Sequence, residues 1–260
     1  MIDYYHVLPG DVRQYFKRRS ELCYSKSTFD ICKRENCNIC CSDTVGVKVS
    51  AFDLIAMALV SGKPVDEIFR GYMKIKFDTF ESVGKIKTEI VLDMPCGFLS
   101  EYGCTIQRDD VTGKYVGKPI ACVLFPENII FANQFGISDE TKEKMPQLFS
   151  IENKNYPCMK DKPAVSKDRA IILLNLEDVS NKESAVTNHY FGFSSAIIPE
   201  KILEKKDVEE AKIFFNGFMK EFGSRYAKGQ EGYKMIEEKA AQLNTREGVQ
   251  RLFSLFQVIQ

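Results

Sequence analysis

Apolar residues in this chain recur at two periods, and the alternation between them divides it into elements. Between Gly10 and Cys23, Val12, Tyr15, Phe16, Arg19 and Leu22 return at helical spacing, which predicts a short amphipathic helix. Val-Gly-Val-Lys-Val at Val45–Val49 alternates and predicts a strand. Ser50-Ala-Phe-Asp53 resembles a capping box opening the apolar helix Leu54–Val60, which Gly62 ends. Pro64 predicts the start of a second helix running through Ile68, Tyr72, Ile75 and Phe80. Ile86–Leu92 predicts a strand leading into Pro95-Cys96. Residues 97–135, with glycine, proline and short apolar runs, predict loops and short strands.

After Cys158 the pattern changes. Lys160–Pro163 predicts a linker, and no cysteine follows it. Asp207-Val-Glu-Glu210 predicts a helix start, with Ala211, Phe214, Phe215, Phe218 and Phe222 on one apolar face. Asn244-Thr-Arg-Glu247 predicts another, with Val249, Leu252, Phe253 and Phe256 at the same period. Such one-sided faces are expected to pack inward rather than to form a cofactor groove. The expected fold is α+β. A cysteine-rich metal-binding core of short strands, loops and helices occupies residues 1–163, and a helical C-terminal region, 164–260, packs on it.

Composition narrows the function classes. With 260 residues, 44% hydrophobic and 28% charged, the chain has the make-up of an ordinary globular protein. Its 36 basic and 36 acidic residues balance, so no net field draws nucleic acid or anionic lipid. The longest apolar run, Leu54–Val60, is far shorter than a membrane span. Met-Ile-Asp-Tyr-Tyr-His lacks the basic flank and apolar run of a signal peptide. The expectation is a cytoplasmic protein with neither membrane nor nucleic acid as partner. No glycine-rich phosphate loop follows a strand, and no paired-carboxylate or Ser/His/Asp set stands out. Asp53 reads as a capping residue rather than a catalytic one.

The chemistry is in the cysteines. Four of nine fall within ten residues, at Cys32, Cys37, Cys40 and Cys41; Cys96, Cys104, Cys122 and Cys158 follow at wider intervals. Thiolates sharing a metal arrive in short-spaced groups, because a tight backbone loop turns two sulfurs toward one centre. The two histidines, His6 and His189, are distant in sequence from this group and read as surface or core residues. A metal site here is therefore expected to be dominated by thiolates. A disulfide framework is not expected in a chain of this length without a secretion signal.

The order of motifs resembles the CxxCxxCC zinc- or iron-chelating cysteine-cluster family, over roughly residues 30–160. The pieces are Cys32, Cys37, Cys40 and Cys41, then Pro95-Cys96-Gly-Phe-Leu, Cys104-Thr-Ile, Lys118-Pro-Ile-Ala-Cys122-Val-Leu-Phe-Pro126, and Tyr-Pro-Cys158. The first cysteine gap is wider than the family's, Lys118 and Val123 stand where it carries arginines, and Arg108–Gly117 reads as an insertion. The family is itself distantly similar to flagellin lysine methylases, which use S-adenosylmethionine.

This resemblance implies that all eight of these cysteines ligate metal while Cys23, at the end of the first helix, does not. It also implies one or two 4Fe-4S clusters, or zinc. Adjacent Cys40 and Cys41 point different ways, so they serve two centres or one of them only packs. The expected function is a cluster-binding protein with a redox or metal-handling role. The alternatives are a cluster-containing, S-adenosylmethionine-dependent protein lysine methyltransferase, with a protein as substrate, and a zinc-stabilised interaction module with a protein partner. No catalytic residue is assigned.

Overall fold

A computed structural model of the chain describes residues 7–24, 39–42, 46–80, 85–101, 103–107, 115–125, 127–128, 166–193, 196–197 and 208–259. The described elements are α1 (Gly10–Tyr24), α2 (Ile39–Ser42), α3 (Ala51–Ser61), α4 (Val65–Tyr72), β1 (Met73–Phe80), β2 (Lys85–Leu92), β3 (Leu99–Ser100), β4 (Gly103–Cys104), α5 (Ile120–Leu124), α6 (Lys167–Phe191), β5 (Ala196–Ile197), α7 (Val208–Arg225), α8 (Glu231–Gln242) and α9 (Arg246–Ile259). Helices with two small antiparallel sheets make this an α+β fold.

Helix α3 lies at the centre. Ala51 to Ala58 are all buried, so the helix is covered on every side rather than along one stripe. The Ser50 hydroxyl accepts from Asp53 N–H and the Asp53 carboxylate accepts from Ser50 N–H, a complete capping box. At the other end Gly62 takes φ 68°, and its N–H donates to the Ala58 carbonyl.

Two expectations change here. The helix expected from Pro64 to Phe80 ends at Tyr72, and residues 73–80 are a strand. Met73, Ile75, Phe77 and Thr79 alternate with Lys74, Lys76 and Asp78, a period of two that pairs antiparallel with β2, Ile75 opposite Ile90. Ile68, Tyr72 and Ile75 had suggested helical spacing only because they straddle the junction. The expected strand at residues 45–49 is a single bridge, Lys48 to Val91, beside two backbone bonds, Val49 N–H to Ile90 O and Leu92 N–H to Val47 O. Val45 lies outside the described residues. A Cβ at Gly46 would stand 3.1 Å from Val91 Cγ2, so Val91 would have to give by a few tenths of an ångström.

The C-terminal helices close the core from the other side. Phe253 and Phe256 of α9 meet Tyr15 and Phe52 at ring-centroid distances of 5.2 to 5.3 Å, edge-on or tilted. Tyr233 of α8 tilts against Phe69 of α4 at 5.1 Å. Phe215, Phe218 and Phe222 of α7 gather with Phe77 around buried Ile86, whereas Phe214, assigned to the same face from sequence, is 51% exposed. The 25-residue α6 runs beside α1, α3, α5 and α9. The sequence places this stretch in the helical C-terminal region without assigning the helix itself. No helix among the described residues is long and apolar enough to cross a membrane.

Candidate metal centre

Beyond β2 the chain turns through Asp93, whose N–H donates to Tyr72 O at 2.8 Å, and reaches Cys96. The Cys96 N–H donates to the carbonyl of Cys41 at 2.8 Å, which ties α2 to this turn. Leu99 N–H then donates to Cys96 O at 3.0 Å, and Gln107 N–H repeats the pattern on Cys104 O at 3.3 Å. Between these turns, β3 and β4 form a hairpin pairing Leu99 with Cys104 and Ser100 with Gly103, the last at φ 106°. Each cysteine thus starts a tight turn at one end of the same hairpin.

The backbone of each turn lies close enough to its cysteine to pull the thiol down, at Cys96 from Phe98 and Leu99 and at Cys104 from Ile106. That pull favours the thiolate, the form that binds metal. Tyr72 backs the first turn by stacking on Phe98, with centroids 4.1 Å apart. Gly97 is required between them, since a Cβ there would stand 2.6 Å from Tyr72 Cδ1.

The Cys122 segment approaches from another direction. Gly117 lies so near the second turn that a Cβ would meet Ile106 O and Val60 Cβ at 3.0 Å. Lys118 follows, and Pro119 opens α5 with φ −53°. Ile120, Val123 and Leu124 pack into a cluster with Cys23, Val116, Leu173 and Leu176, so the apolar side of α5 is held by α1 and α6.

The thiols of these segments influence one another's charge. Burial pushes the Cys104 thiol up to about 11, with the charges of Cys96 and Cys41 adding to the rise. Burial likewise lifts Cys122 well above the ordinary thiol range, helped by Cys104, Cys41 and Cys96. Cys96 rises for the same reason, and Cys41 contributes. Lys118 opposes the rise at all three. Four segments thus bring four thiols and one ammonium into a shared field. Cys96, Cys104 and Cys122 are free thiols.

A buried ionic network stands behind α5. Arg19 is 3% exposed, Asp53 4% and Glu183 0%. Arg19 Nε donates to Glu183 Oε1 at 2.7 Å, and its Nη2 donates to Glu183 Oε2 at 3.1 Å and to Asp53 Oδ1. Tyr15 Oη and Ser50 Oγ also donate to Glu183, at 2.8 and 3.1 Å. Burial raises Glu183 above the usual carboxylate range against the pull of Arg19. Burial also works against the Arg19 charge, and the carboxylates of Glu183 and Asp53 more than offset it. Asp53 Oδ1 accepts a further bond from Ile120 N–H at 3.1 Å, the first residue of α5. The sequence reading of Asp53 as a cap therefore describes part of its role.

Of the eight cysteines expected as ligands, the structure brings Cys41, Cys96, Cys104 and Cys122 together. Cys32, Cys37 and Cys158 lie outside the described residues, as does the side chain of Cys40, whose backbone belongs to α2. Among the described residues no group of three or more His, Cys, Asp or Glu side chains is set to hold a metal ion. The four thiols share a field without standing in a coordinating arrangement, so closing them on an ion calls for side-chain movement. Cys23 is fully buried in the α1–α5–α6 cluster. His189 is on the exposed side of α6, and His6 lies outside the described residues.

No protein-family model, no curated protein and no solved structure matches the chain. The case for a metal centre therefore stands on this chain's own residues. Sequence reasoning missed Glu183 and the role of Lys118. For the ionic network the signal was Arg19, an arginine at a position in an otherwise apolar helical stripe.

Proposed function

We propose that this protein binds metal through a thiolate centre, with an iron–sulfur cluster as the favoured occupant and zinc as the other, and that it serves a redox or metal-handling role. The observation carrying this reading is the approach of the segments bearing Cys41, Cys96, Cys104 and Cys122, through the Cys96–Cys41 backbone bond, the Leu99–Cys104 pairing and the contact of Gly117 with the Ile106 turn. A donor set of sulfur alone fits thiophilic ions and iron–sulfur clusters and suits magnesium or calcium poorly. Lys118 fits the same reading, since four thiolates around a divalent ion or a cluster leave net negative charge that a nearby ammonium compensates. Burial is among the features by which a protein adjusts a cluster's potential.

The preference for iron–sulfur rests on the number of cysteines. Cys32, Cys37, Cys40 and Cys158 add four thiols to the converging four, more than one tetrahedral zinc site uses. Purification without oxygen, followed by iron, sulfide and zinc analysis and a visible absorption spectrum, tests the proposal. Iron and sulfide in equal amounts with sulfur-to-iron charge-transfer absorption support the cluster. Stoichiometric zinc in a colourless protein supports the zinc form. Protein with neither, and unable to take up either under reducing conditions, removes the reading.

A further inference from the structure

We propose that Asp53 is a positioning residue of the thiolate centre, holding the short helix that carries Cys122 through a single hydrogen bond from Ile120 N–H to its carboxylate. The proposal rests on the metal-binding reading above and adds a residue outside its ligand set.

The geometry is one of divided labour between two oxygens. Oδ2 of Asp53 accepts from Ser50 N–H at 2.8 Å, which closes the α3 cap, and shares the single Ser50 hydroxyl hydrogen with Glu183 Oε2. Oδ1 accepts from Arg19 Nη2 and from Ile120 N–H, so the same carboxylate reaches from α3 and α1 to α5. An N-cap needs only one of these oxygens. Asparagine has one acceptor oxygen in place of two, so it cannot bind Arg19 and Ile120 on one side and close the box with Ser50 N–H on the other.

α5 is a single turn and a half, its N-cap Pro119 makes no side-chain cap bond, and its apolar residues pack with α1 and α6. The segment before it has a second tie of the same kind, Val116 N–H to Ser20 Oγ at 3.0 Å. Ser20 adjoins Arg19, so α1 ties the chain leading to Cys122 at two points, directly at Val116 and through Asp53 at Ile120. Two residues beyond Ile120, Cys122 is thereby referenced to the rigid α3 rather than to the hairpin bearing Cys96 and Cys104. The placement of one ligand then depends on a network remote from the others, and second-layer partners of this kind influence how firmly a metal is held.

The test compares metal-loaded full-length protein with the Asp53→Asn and Ser50→Ala variants, measuring the rate of metal transfer to a chelator and the thiolate charge-transfer spectrum. Both substitutions damage the α3 cap, but only Asp53→Asn leaves a single acceptor oxygen for which Ser50 N–H competes with Arg19 and Ile120. Asp53→Asn is expected to release metal at least tenfold faster with a shifted spectrum, and Ser50→Ala to match wild type in both. Equal release from Asp53→Asn and wild type, or equal acceleration in both variants, overturns the positioning role. If wild type itself holds no metal, the functional reading fails first, and the inference falls with it. Should Asp53→Asn not fold, amide exchange in wild type decides. Chelation is expected to speed exchange at residues 120–124 and 50–53 together, whereas acceleration confined to 96–107 overturns the proposal.

Discussion

Cys96 is joined to Cys41 through the backbone, its N–H donating to the Cys41 carbonyl at 2.8 Å, while the two thiols also share an electrostatic field. The backbone bond needs neither sulfur, so Cys96→Ser removes a ligand and leaves the tie in place. With a chelator present, Cys96→Ser and wild type are expected to melt within a few degrees of each other. With metal present, wild type alone is expected to gain stability, by about 2.7 kcal/mol at a free metal concentration one hundred times Kd. Thermal melts with and without metal check this; an equal gain in the variant would remove Cys96 from the ligand set.

Gly97→Ala is expected to cost about 1–3 kcal/mol, the usual range for overpacking a fitted site. The new Cβ would lie 2.6 Å from Tyr72 Cδ1, and that ring is held by its stack on Phe98 and by Lys63 Nζ donating to its hydroxyl at 2.8 Å. Denaturant titration measures the loss. Repeating the substitution in Tyr72→Ala should recover most of it, because the clash has a single partner.

The metal-free protein is expected to lose stability as pH rises from about 9 to about 11. The ordinary thiol value is 9.0 and burial raises Cys104 to about 11, so the folded state keeps a proton that the unfolded state releases. The contribution is full below pH 9 and is lost as pH climbs through the folded value, a change of roughly 2–3 kcal/mol at most for this thiol. Cys104→Ala should flatten the slope in that window when stability is followed by denaturant titration at stepped pH.

The sequence conveyed the elements whose local signals are strong. Ser50 and Asp53 mark the start of α3, Gly62 its end, and the stripe containing Val12 and Phe16 sits on the buried side of α1. The sequence was ambiguous where two periods adjoin. Tyr72 ends α4 and Met73 begins β1 without a turn residue between them, so only pairing with β2 separates helix from strand. Helix α6 escaped notice because its buried positions, including Leu173, Leu176, Val186 and Tyr190, are interspersed with buried Glu183 and Thr187. A charged residue in the interior masks the apolar stripe, and its partner Arg19 lies 164 residues away. The cysteines were legible as candidate ligands from spacing, but their convergence depends on long-range backbone contacts such as Cys41 with Cys96.

Cys23 provides the control. It is fully buried among Val116, Ile120, Val123, Leu173 and Leu176. Serine there would bury a hydroxyl at a cost of about 1–3 kcal/mol, so the conservative replacement is alanine. Cys23→Ala is expected to keep full metal content with a modest loss of stability. Metal analysis of the purified variant checks this, and loss of metal would place Cys23 in or beside the centre.

The central claim is that thiolates of this chain bind metal. Its most direct measurement is the iron, sulfide and zinc content of protein purified without oxygen, taken together with the visible spectrum and repeated for Cys122→Ser. Wild type is expected to carry iron and sulfide with charge-transfer absorption, or stoichiometric zinc, and Cys122→Ser to lose most of it. A wild-type protein that neither carries nor takes up metal, or a Cys122→Ser variant with full content and an unchanged spectrum, would contradict the account.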